Sequence, residues 1–198
     1  MATVIAAAAS GSAGADGALA GGVAAKTVAS AAAASLEALE HACFGEGLPA
    51  PAEHELQLAS CCYAAEDVAE RHLLCACELA PEHPATLIGL YRFYFYRNRL
   101  DEALAVGMRC LDLAARANGL APDWTMVRGK DIDFSSLSVL PRFYLFTLKA
   151  CTYLRLRLGD LNCGGAMLDK LTELDPADKV NGSVLRGVLD RLGQDDEE

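Results

Sequence analysis

Between Glu53 and Leu111 the chain repeats itself at a spacing of 34 residues: Leu56 corresponds to Leu90, Ser60 to Tyr94, Ala69 to Ala103, Leu73 to Gly107 and Ala76 to Cys110. A fixed period of this length marks a stacked array of small units, none of which can bury its apolar face alone. Each block reads as two amphipathic helices, with a small residue opening the second. The predicted helices cover residues 53–64 and 67–79 in block one, and 85–97 and 100–117 in block two. Glu66 and Asp67 suit the positive end of a helix dipole, and the linker Ala80-Pro81-Glu82-His83-Pro84 reads as a stop.

Composition supports helix throughout. Of 198 residues 53% are hydrophobic, alanine is abundant and only seven are proline, so an all-α fold is expected. The net charge of −10 disfavours nucleic acid as a partner, because phosphate binding needs clustered Lys and Arg. The apolar run from Val4 to Ala9 has no basic residue ahead of it and ends at Ser10 and Gly11. It is far short of the roughly 18 residues a bilayer needs, so a soluble cytoplasmic protein without membrane contact is expected. The eight cysteines, among them Cys43, then read as reduced and mostly buried thiols.

Glycine-rich residues 1–25 read as a disordered leader. Residues 26–44 read as an alanine-rich helix that could cap the array or pair two copies into a homodimer. Repeats one and two fill 52–117 after a break at Pro49 and Pro51, an insertion covers 118–141, and 142–176 form a third block. That block carries Leu148, Leu158-Gly159-Asp160, Gly164, Leu168, Leu171 and a closing Glu173-Leu174-Asp175-Pro176. Gly164 follows Ala103 by 61 residues instead of 34, so 27 residues are inserted. Residues 180–192 read as a closing helix, and 193–198 as an acidic tail ending in Asp195, Asp196, Glu197 and Glu198.

The pattern resembles tetratricopeptide repeats. Leu56, Ala69, Leu73, Ala76 and Pro81 match in block one, and Leu90, Tyr94, Ala103 and Cys110 in block two; Arg99 to Leu104 lies closest to the family consensus. The resemblance implies a short α-solenoid of about three helix-turn-helix repeats with flanking helices, binding a partner peptide or helix in a concave groove. In the family register Leu90, Tyr91 and Tyr94 pack inside. The groove would be lined by His54, Leu58, Cys61, Cys62, Ile88, Arg92, Phe95, Tyr96, Lys149, Tyr153, Leu156 and Arg157. His54 and Leu58 stand where carboxylate-clamping repeats carry polar groups, which disfavours that subclass. The segment Leu140-Pro141-Arg142-Phe143, within an acidic three-repeat body, is similar to the translocator chaperones of bacterial type III secretion.

The run Tyr91-Arg92-Phe93-Tyr94-Phe95-Tyr96 holds more aromatics than one buried helix face accommodates. The surplus fits a partner-binding wall, unless a terminal helix of the same chain fills the groove. Trp124 and Phe134 suggest that the insertion is packed, as a lid beside the groove. No catalytic set and no cofactor motif is visible, so no enzyme is expected. His72, Cys75, Cys61 and Cys62 are the nearest approach to a metal set and support an alternative reading, a metal-linked maturation or redox accessory protein. They lack a Cys-x2-Cys knuckle, and Cys75 and Cys77 point about 200° apart on a helix. No metal is expected.

Overall fold

A computed structural model of the chain describes residues 47–136 and 138–195. Among these the fold is all-helical, with no strand: α1 Ala50–Cys61, α2 Glu66–Leu79, α3 Pro84–Tyr96, α4 Leu100–Ala117, α5 Val139–Arg157, α6 Leu161–Leu174 and α7 Ser183–Asp195. The leader 1–25, the helix 26–44 with Cys43 and its dimer, and the last tail residues 196–198 lie outside the described residues. No described helix is long and apolar enough to cross a membrane.

Proline shifts two helix starts from their expected places. Pro51 lies in the first turn of α1, not before it, and Pro84 begins α3 instead of ending a linker. The first N–H groups of a helix have no partner within it, so proline loses nothing there, and its fixed φ favours the turn. His83 caps α3, its Nδ1 accepting from Ala85 N at 3.2 Å. At the other end of the chain α7 starts at Ser183 and continues to Asp195, so residues 193–195 are helical where an acidic tail was expected.

Helices follow one another in space as in sequence. α1 packs on α2, α3 on α4, α4 on α5 and α5 on α6, with lighter contacts from α2 to α3, α6 to α7 and α1 to α3. Three small buried residues sit where the second helix of each pair begins. Ala69, Ala103 and Gly164 are each the fourth residue of α2, α4 and α6. Their N–H groups donate to Ala65, Arg99 and Asp160 at 2.9, 3.0 and 2.9 Å. At Gly164 a Cβ would stand 2.6 Å from Leu156 Cδ2 and 3.2 Å from Leu156 N, so only glycine lets α6 approach α5 so closely.

The turns within the second and third pairs are alike. Asn98 and Gly159 take positive φ of 58° and 82°. The following N–H groups, of Arg99 and Asp160, return to Tyr94 O at 2.9 Å and Arg155 O at 3.0 Å, the left-handed helix stop that glycine and asparagine tolerate. Asn98 and Gly159 are also 61 residues apart, so turn and helix start are displaced together by the insertion.

The inserted segment is packed against the third pair. Val127 and Phe134 are buried, at 0% and 4% exposure, and the Phe134 ring lies 5.9 Å from that of Tyr144 on α5. Lys170 of α6 donates to Val127 O at 2.9 Å and pairs with Glu173 at 2.6 Å. Lys179 donates to Ser135 O. Trp124, half-buried in a short 3-10 turn Trp124–Met126, also packs on the core. Phe134 is thus an anchor inside the core, and these ties run to α5, α6 and the loop after α6. They hold Trp124 and Phe134, expected to belong to a lid, against the third pair.

Candidate functional site

The surplus aromatics of α3 meet α5. Phe95 stacks on Tyr91 at 5.8 Å, meets Tyr96 edge-on at 5.6 Å, and lies 5.8 Å from Tyr153 of α5. Tyr91 is buried, and burial pushes its phenol well above the ordinary range. Tyr96 closes the row at 51% exposure. A guanidinium lies over each outer ring: Arg92 5.8 Å from the Tyr96 centroid, Arg157 5.8 Å from that of Tyr153. Arg157 Nη1 also donates to Tyr153 Oη at 2.9 Å. Five of the residues expected on a groove wall, Arg92, Phe95, Tyr96, Tyr153 and Arg157, therefore form one continuous cation–aromatic surface.

Three other expected wall residues are interior. Ile88 is 2% exposed, Lys149 4% and Leu156 5%. Ile88 belongs to the hydrophobic core, where its apolar surface is better placed than in water. Leu156 fills the space above Gly164. Lys149 donates to Val180 O at 2.5 Å, so the loop leading to α7 covers this position, and burial lowers its ammonium pKa despite the nearby Asp178 carboxylate. The chain's own C-terminal segment thus occupies one part of the expected groove.

His54 and Cys61 are exposed on α1, with Leu58 and Cys62 half-buried beside them. Their helix reaches α3 through Leu56, whose Cδ2 lies 3.5 Å from where a Cβ on Gly89 would stand. Leu90, Tyr91 and Tyr94 are buried as expected. Phe93, not singled out from the sequence, is 1% exposed, with Tyr63 edge-on at 5.9 Å and the Arg97 guanidinium 4.8 Å above it.

Among the described residues no group of three or more His, Cys, Asp or Glu could hold a metal ion. His72 turns instead to a partner the sequence did not suggest, its Nδ1 lying 2.6 Å from Glu55 Oε2. Nothing short of the α1–α2 packing could have joined residues 17 positions apart. Burial, with the carboxylates of Glu55 and Glu78, raises the Cys75 thiol pKa. Burial raises those of Cys77 and Cys110, and pushes Cys151 up to about 12. These four sulfurs are held as thiols at neutral pH, the opposite of what a nucleophile or thiolate ligand needs.

A similar protein is known from Azotobacter chroococcum mcd 1, where it is described as an uncharacterized 19.8 kDa protein in the nifW 5′ region. The two are 39% identical over 132 residues, 63% of this chain and 71% of the relative. The chain belongs to that protein's family. No family model matches it, and no solved structure does.

Proposed function

We propose that this protein is a non-catalytic interaction module, an adaptor, chaperone or assembly factor that holds a peptide or helix of a partner protein on the α3–α5 aromatic wall. The observation that carries this reading is the contact of Phe95 with Tyr153 at 5.8 Å, which joins two helix pairs in one surface while Tyr96 remains 51% exposed. Aromatics that share a continuous surface are common anchors of a protein interface. In the same reading α1–α2, α3–α4 and α5–α6 are three tetratricopeptide-like pairs of a short solenoid, closed by α7. The shared positions of Ala69, Ala103 and Gly164 support it, as does the recurrence of the turn at Asn98 and Gly159.

Affinity capture from native extract with quantitative mass spectrometry tests the wall. Tyr96→Ala combined with Tyr153→Ala should keep the helical circular dichroism of the wild type and lose at least one specifically recovered protein. Unchanged recovery of every partner would refute the site.

A further inference from the structure

The aromatic wall by itself would accept any apolar segment; its arginines narrow the choice. Acidic side chains outnumber basic ones in this chain, 27 to 17, and arginines close to a carboxylate take one. Arg97, Arg99, Arg116, Arg155 and Arg186 are each so paired. Arg157, like Arg109 and Arg142, takes none among the described residues. Only two residues from Arg155, which holds Asp160 at 3.0 Å, it is exposed and lies over Tyr153.

Its bond to Tyr153 also settles a proton. Guanidinium has no acceptor, so the phenol oxygen accepts at 2.9 Å and the Tyr153 O–H is left to donate. A guanidinium N–H and a phenol O–H then converge where an incoming carboxylate could accept both, a charge-assisted arrangement. Across Phe95, Arg92 overlies the other outer ring, Tyr96. We propose that the occupant of this wall is an acidic peptide segment, a carboxylate meeting Arg157 and the Tyr153 hydroxyl beside an apolar side chain laid on Phe95 and Tyr96. The proposal rests on the interaction reading above and names the chemistry of its partner. A basic segment would face the like charge of Arg157, and a wholly apolar one would desolvate that guanidinium without compensation.

Two labelled synthetic peptides of equal length, one alternating glutamate with phenylalanine and one alternating lysine with phenylalanine, test this by fluorescence anisotropy on the full chain. The acidic peptide should bind, weaken as salt is raised, and lose about tenfold in affinity in Arg157→Gln. Arg157→Lys should lose less, and Arg109→Gln, on α4, should leave binding unchanged. Equal or tighter binding of the basic peptide, binding of neither, or full affinity in Arg157→Gln would overturn the assignment. So would a salt-sensitive dimer abolished by Arg157→Gln, because the occupant would then be a second copy. Loss of a captured protein in the Tyr96 and Tyr153 variant, with the two peptides bound alike, would leave the interaction reading standing and refute the acidic partner alone.

Discussion

Glu70 receives three hydrogen bonds at once. Arg99 donates to its two oxygens at 2.7 and 3.0 Å and Tyr94 donates at 2.8 Å, so a residue of α2 holds both α3 and the turn before α4. Arg99 also bonds Glu102 at 2.9 Å and covers the Tyr94 ring at 4.5 Å. The Arg99 hydrogen bonds, with that from Tyr94, lower the Glu70 pKa against the opposing effect of burial. A carboxyl depressed in the folded state stabilises fully above its unfolded pKa, near 4.3, and that stabilisation fades as pH falls through the folded value. Glu70→Gln should therefore cost about 1 kcal/mol at neutral pH. In denaturant titrations the gap from wild type should close progressively below about pH 4. A gap of constant size across that range would show that packing, not charge, is what Glu70 contributes.

Gly164 is the most closely approached of the described glycines. A methyl group there would meet Leu156 Cδ2, Cγ and backbone N at 2.6, 2.9 and 3.2 Å, so Gly164→Ala should cost about 1–3 kcal/mol by overpacking. In an open helix the same change would gain about 1 kcal/mol. A thermal melt that moves upward would show that α6 can slide off α5 freely. This close approach was legible in the sequence as the small residue aligned with Ala69 and Ala103, and the α4 bounds, 100–117, were legible to the residue. Helix starts at proline were less legible, because the residue that breaks a helix interior is welcome in its first turn. The wall was legible where side chains are aromatic and mutually stacked. It failed at Ile88, Lys149 and Leu156, where helix period alone does not say which turn of a face another segment covers. The Lys149–Val180 bond joins residues 31 positions apart, and no local pattern encodes such a meeting.

Across the whole molecule, contacts run mainly between helices adjacent in sequence, and the inserted segment adds ties within the last pair. Side-chain partners such as Glu55–His72 and Glu70–Arg99 arise from this packing order, so they were invisible until the helices were placed. Buried sulfur is distributed along the same order: Cys77 lies in α2, Cys110 in α4 and Cys151 in α5, one in each helix pair. Being buried and held protonated, each reacts with an alkylating reagent only while its own neighbourhood is open. The described residues thus carry three internal clocks for local opening. In the proposed stack of three pairs the ends would loosen first, so mass-resolved labelling under native conditions should modify Cys110, in the middle pair, last. A single shared rate would mean that the pairs open only as one cooperative body.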